Sequence, residues 1–151
     1  MEYYHIKKEF KTAWQKKILQ WYSKNKRDLP WRQKKNQQFY NIWISEVMLQ
    51  QTTVKTVIPY YDKFLKKWPN LETFFNASLD EILLVWQGMG YYQRAKNLYL
   101  AKEILKKEKI NINLEDLKKL PGIGDYVSSA ICAILVDQNC TVIDGNIKRI
   151  I

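Results

Sequence analysis

The chain has 151 residues, 46% of them hydrophobic and 26% charged, enough to bury one ordinary core and too apolar for a disordered tail. Lysine and arginine number 25 against 15 acidic residues; the net charge of +10 makes a polyanion the first partner to test, although a lysine-biased composition alone gives the same excess. A single histidine, His5, with Cys132 and Cys140 excludes a disulfide framework and a zinc-type ligand cluster, and the longest apolar run, Ala130 to Val136, is too short to cross a bilayer. The first residues lack the apolar core of a secretory leader, which with the cysteine usage reads as a reducing, cytoplasmic setting.

In chain order, Phe10, Ala13, Trp14, Ile18, Trp21 and Tyr22 recur at helical spacing, with Lys16, Lys17 and Lys24 facing away. After a polar turn around Asn25 to Pro30, Phe39 to Gln51 is apolar nearly all round. Val54, Val57, Ile58, Tyr61, Phe64, Leu65 and Trp68 form another stripe, which Pro59 should kink or divide. Ser78 and Glu81 make a capping box for a helix through Trp86 that Gly88 closes, and Tyr91 to Lys107 is a further amphipathic helix. Asn113 caps a short helix reaching Leu120, which breaks at Pro121-Gly122-Ile123-Gly124 and resumes through Val127, Ala130, Ile131, Ile134 and Leu135. No alternating strand pattern of useful length occurs, so the class is all-α with about eight helices. Asp144 to Ile151 reads as a cap and first helical turns ending on unmatched apolar residues, as in a truncated fragment.

Three features could carry chemistry. The glycines of Leu120-Pro121-Gly122-Ile123-Gly124 permit positive φ and close approach, so amides opening the next helix can face a phosphate; a plain helix-to-helix turn looks the same. Glu46 has Ile42, Trp43, Leu49 and Gln50 as its helical neighbours, with no lysine or arginine among them. If that face is buried, desolvation raises its pKa and leaves a proton to donate near neutral pH; otherwise it is an ordinary exposed flank. Asp144 is an N-cap by position, yet a cap carboxylate facing a cleft also works electrostatically. The two would then divide as a protonated acid and an ionised stabiliser, the arrangement that cleaves a glycosidic bond through an oxocarbenium-like state. Trp31-Arg32, Gln50-Gln51-Thr52 and Met89-Gly90-Tyr91-Tyr92 are polar and aromatic clusters at helix ends, suited to stacking on bases or wedging between them.

Together these segments resemble the MutY-type adenine DNA glycosylases of the helix-hairpin-helix superfamily, over essentially the whole chain. The resemblance rests on Leu29-Pro30-Trp31-Arg32, the run from Trp43 to Thr52, the run from Gly88 to Ala95, the hairpin from Leu120 to Gly124, and the run from Ile143 to Arg149. It implies a base excision repair enzyme that flips out adenine mispaired with 8-oxoguanine or guanine and hydrolyses its N-glycosidic bond. Glu46 would protonate the adenine ring, and Asp144 would stabilise the cationic sugar through a covalent intermediate, with Tyr126 and Asn146 assisting. Trp31, Arg32 and Leu49 would form the adenine pocket. Gln50, Gln51, Thr52, Met89, Gly90, Tyr91, Gly122, Ile123, Gly124 and Tyr126 would contact DNA. Tyr126 stands where endonuclease III-like enzymes carry a Schiff-base lysine, which implies a monofunctional enzyme.

The implied fold is a six-helix barrel over residues 31–136, a helix in 1–30 packing with a partial second domain, and the start of that domain in 137–151. The family's 4Fe-4S cluster would come from cysteines beyond residue 151; Cys132 and Cys140 do not match its spacing, so neither metal nor cofactor is assigned to this chain. Double-stranded DNA carrying the mismatch is the expected partner, with no membrane, and a monomer is expected. Exposed apolar surface is expected at Trp14, Ile147 and Ile151. A non-catalytic helix-hairpin-helix DNA-binding fragment and an endonuclease III-like glycosylase/lyase are the alternatives. The first would bind duplex without releasing a base, and the second would give a borohydride-trapped adduct.

Overall fold

The computed structural model describes residues 8–136 and 140–150. Its helices are α1 (Lys8–Asn25), α2 (Phe39–Leu49), α3 (Val54–Lys67), α4 (Leu71–Phe74), α5 (Leu79–Trp86), α6 (Gln93–Lys107), α7 (Leu114–Leu117), α8 (Asp125–Leu135) and α9 (Ile147–Ile150). Single 3-10 turns at Pro30–Arg32 and Lys34–Asn36 join α1 to α2. No strand occurs among the described residues, and the fold is the all-helical one expected.

The architecture follows from α2. Every residue from Tyr40 to Met48 is buried, because the helix is apolar on all sides and so must be surrounded. It packs against α3, α6, α8 and the Pro30–Arg32 turn, while α5 closes against α3 and α6. Between α2, α3 and α4, Trp43, Phe64, Trp68 and Phe74 meet edge to face or tilted at ring separations of 4.8–6.2 Å, a geometry that adds to their area burial.

Local chemistry fixes the helix ends. Ser78 Oγ accepts from the Glu81 amide and the Glu81 carboxylate accepts from the Ser78 amide, the reciprocal box expected. Gly88 follows the end of α5 at φ 94°, where an added Cβ would stand 2.6 Å from the Tyr60 hydroxyl. Asn113 caps α7 through the Asp116 amide. A second capping box, Asn70 with Thr73, opens the one-turn α4, which the periodicity did not reveal.

Pro59 lies inside α3 and does not divide it. The amide it lacks would have bonded the Lys55 carbonyl, and both residues lie on the exposed flank, where solvent satisfies that oxygen. The stripe on α1 is bare: Trp14 is 58% exposed, and Ile18, Trp21 and Tyr22 are exposed as well. Ile147 is exposed as expected, and Ile151 lies outside the described residues.

Candidate active site

Glu46 projects from the middle of α2 and is only 9% exposed. Burial pushes its carboxyl up to about 7, against a weaker pull down from the hydrogen bond with Tyr126 and from the Arg32 charge. It opens on a cavity of about 480 Å³ whose other walls include Trp31, Arg32, Leu49, Tyr126 and Asp144. Residues far apart in the chain, from the 3-10 turn at Pro30 to the turn before α9, thus meet around one space.

Asp144 reaches that space in the opposite state. Its Oδ1 accepts from the amides of Asn146 (2.9 Å) and Ile147 (2.7 Å), and its Oδ2 from Asn146 Nδ2 (3.0 Å). These donors hold its pKa below the usual carboxylate range, the bond from the Ile147 amide contributing most. Asp144 thus caps α9 and also forms part of the cavity wall. Tyr126 stands between the carboxylates: its phenol is pushed up to about 12, first by burial and then by the charges of Glu46 and Asp144.

Asn146 is exposed and does not line the cavity; it braces Asp144 and accepts from Arg149 Nη2 at 2.7 Å. Trp31 is fixed edge-on against Tyr61 at 5.4 Å. Arg32 lies 5.7 Å over the Tyr22 ring and donates to the Arg27 carbonyl. Tyr22, Arg27 and Gln37 also line the cavity, which sequence reasoning missed. Tyr22 belonged to the α1 stripe, while Arg27 and Gln37 carry no local signal.

Beside the cavity runs an open groove of about 570 Å³ lined by Gln50, Gln51, Tyr91, Gly124 and Tyr126. Gln50 Nε2 donates to the Gly122 carbonyl at 3.3 Å, tying α2 to the hairpin. Gly122 has φ 82° and touches the Asn97 side chain so closely that a Cβ would come within 2.9 Å of Asn97 Cβ. Gly124 lacks the positive φ expected: its φ is −91°, and no protein atom stands against its open face. Ile123 is buried beneath the turn, and Thr52 and Gly90 are half-buried. Met89 is buried in the core, because the turn after α5 directs it inward while Tyr91 stands out; it does not lie on this surface.

Among the described residues no group of three or more histidine, cysteine or acidic side chains could hold a metal, and no helix is long and apolar enough to cross a membrane. An iron–sulfur cluster takes four cysteine ligands, whereas Cys132 is buried within α8 and Cys140 is its neighbour, so these residues do not fit one.

An all-helical fold in which a glycine turn joins α7 to α8 beside a cavity walled by two carboxylates is a helix-hairpin-helix architecture. The chain belongs to the HhH-GPD superfamily of base excision DNA repair proteins, whose pattern matches residues 44–151. It is 46% identical over 138 residues to the adenine DNA glycosylase of Buchnera aphidicola subsp. Schizaphis graminum, covering 89% of this chain and 39% of that one. It is 40% identical over 150 residues to the adenine DNA glycosylase of Homo sapiens, covering 93% of this chain and 28% of that one. The chain thus spans well under half the length of these curated relatives. A thermostable thymine-DNA glycosylase superposes with a TM-score of 0.82 at 26% identity, covering 92% of this chain and 65% of the other. A trapped endonuclease III–DNA covalent intermediate gives 0.78 at 16% identity, covering 96% and 68%, which is a likeness of fold.

Proposed function

We propose that this chain carries the base-releasing site of an adenine DNA glycosylase that acts on adenine opposite 8-oxoguanine or guanine in duplex DNA. The observation that carries the reading is one cavity walled by a carboxyl raised to about 7 and a carboxylate held ionised. Glu46 gives its proton to the adenine ring, the bond from ring nitrogen to sugar carbon breaks, and its electron pair leaves with adenine. Asp144 stabilises the cationic sugar, passing in the family's scheme through a covalent sugar ester. Water then adds to the sugar carbon as the bond to Asp144 breaks, its electron pair returning to the carboxylate, and a proton from that water returns to Glu46. Tyr126 lies between the two carboxylates, and Asn146 orients Asp144. Trp31, Arg32 and Leu49 hold the flipped base.

No lysine lines the cavity among the described residues, which supports a monofunctional enzyme, since a Schiff base needs a primary amine. We further propose the division into a helix over residues 1–30, a barrel over 31–136 and the start of a second domain over 137–151, with the DNA backbone gripped at the hairpin. The +10 charge and the adenine glycosylase relatives favour double-stranded DNA as the partner, engaged by a monomer near the nucleoid. A 4Fe-4S cluster would belong to segments other than these residues.

The test mixes the chain and its Glu46→Gln variant with duplexes carrying adenine opposite 8-oxoguanine, guanine or thymine, followed by alkali to cut abasic sites. Cleavage only at mispaired adenine, lost in the variant, is expected. Duplex binding with no base loss in either form would make the chain a DNA-binding module.

A further inference from the structure

Backbone strain on the groove face falls on two residues. Gln51 (φ 55°) and Tyr91 (φ 50°) are the positive-φ residues other than glycine among those described. One follows α2 and the other precedes α6, yet both line the same groove beside Gly124 and Tyr126. Arg94, in the first turn of α6, joins the two turns from behind.

Arg94 is 7% exposed, and no ion pair found among the described residues includes it. Its Nη1 donates to the carbonyls of Val47 (3.2 Å), Met48 (2.7 Å) and Gln50 (2.5 Å), oxygens at the end of α2 that have no helical donor ahead of them. Its Nη2 donates to Gly90 O at 3.2 Å and its Nε to Tyr91 O at 3.5 Å. The guanidinium lies 5.4 Å over the Trp86 ring and 5.3 Å over the Tyr91 ring. A planar fork of five N–H groups spans two turns in this way, whereas a lysine has three donors at a single point.

We propose that Arg94 is a positioning residue that locks the Gln51 and Tyr91 turns in their strained conformations, so that both side chains meet the duplex together as a base pair opens. The inference rests on reading the chain as a base-releasing DNA glycosylase. Gln51 and Tyr91 sit on short turns that relax to ordinary φ once the carbonyls of Gln50, Gly90 and Tyr91 lose this donor. The cavity groups come from the body of α2 and from the 144–146 turn, so capture of the flipped base depends on Arg94 more than bond cleavage does.

The test compares the chain with Arg94→Lys at a temperature where circular dichroism shows both folded. Opening is read from the fluorescence of 2-aminopurine placed opposite guanine, and base release from adenine in duplex and in single-stranded DNA. Arg94→Lys should keep salt-dependent duplex affinity, lose about tenfold or more in the opening equilibrium and in duplex release, and stay within about threefold on single strands. Equal losses on both substrates, or an unchanged fluorescence rise, would overturn the proposal. If the unaltered chain brightens 2-aminopurine but releases no adenine, the proposed function fails, and the loss of brightening in Arg94→Lys alone decides whether Arg94 positions the two turns; if the unaltered chain gives no brightening, the inference fails.

Should Arg94→Lys not fold, the unaltered chain decides by NMR. Its Arg94 guanidinium protons should exchange far more slowly than those of the exposed Arg27 and shift when the 2-aminopurine duplex is added. Fast exchange, or no shift on DNA binding, would sink the idea.

Discussion

Helix α2 and the 144–147 turn each bring one carboxylate to the same cavity, and they treat it in opposite ways. In α2, Glu46 is surrounded by Ile42, Trp43 and Leu49 and has no charged partner close enough to offset its burial, so the proton is retained to about 7. At the turn, the backbone folds round Asp144 and supplies two amides and a side-chain amide, so the proton is lost early. The proposed sugar-bond chemistry needs one group of each kind, and the contrast comes from local backbone shape and apolar packing.

The largest effect should come from removing the α2 side of the contrast. Glu46→Gln keeps the shape of the cavity and loses the transferable proton, so single-turnover adenine release should fall by roughly 10²–10⁴-fold with duplex binding retained. A variant with full activity would mean that the proton comes from elsewhere. Next is Asp144→Asn. Asparagine caps a helix as well as aspartate does, so the melting temperature should hold, while the lost negative charge lowers release by roughly 10²–10³-fold. Parallel loss of folding would show that Asp144 serves only as a cap.

The buried acid also costs stability, and the sign follows from its direction of shift. An ordinary glutamate loses its proton near 4.5, and the folded chain keeps that of Glu46 to about 7. Below about pH 4 both states are protonated; between 4.5 and 7 the unfolded chain gives up a proton that the folded one holds, so stability falls by about 3 kcal/mol and then levels. Glutamine does not titrate. Urea unfolding of Glu46→Gln against the unaltered chain should therefore show a stability difference growing in the variant's favour by about that amount from pH 4 to pH 8. A pH-independent difference would refute the burial account.

Much of this was legible in the sequence because its causes are local. Ser78 and Glu81 are three residues apart, Asn113 immediately precedes the helix it caps, and the run from Tyr40 to Met48 declares a buried helix by being apolar on every side. Glu46 stood out for the same reason, as a carboxylate with apolar helical neighbours. Arg94 did not, because it reads as a polar residue in the first turn of an amphipathic helix, and the α2 carbonyls it serves lie 44 to 47 positions earlier. Lys102, 2% exposed and donating to the Ala77 carbonyl at 2.6 Å, was hidden in the same way. Met89 was misjudged because a turn residue two positions from an exposed Tyr91 looks equally exposed, and only tertiary packing turns it inward.

The finest test of the contrast is the pH dependence of release, since it reads the α2 proton directly. An acid that must be protonated gives a rate that is level below about pH 7 and falls above it, approaching tenfold per unit. Tyr126 tunes the break: its hydrogen bond favours the charged form of Glu46, so Tyr126→Phe should move the falling limb to higher pH while slowing the plateau only modestly. The shift is a fraction of the whole displacement, because burial outweighs the tyrosine. Movement of the limb to lower pH would mean that Tyr126 holds the proton on Glu46, and the two carboxylates would then be set apart by the phenol between them and not by the packing of α2.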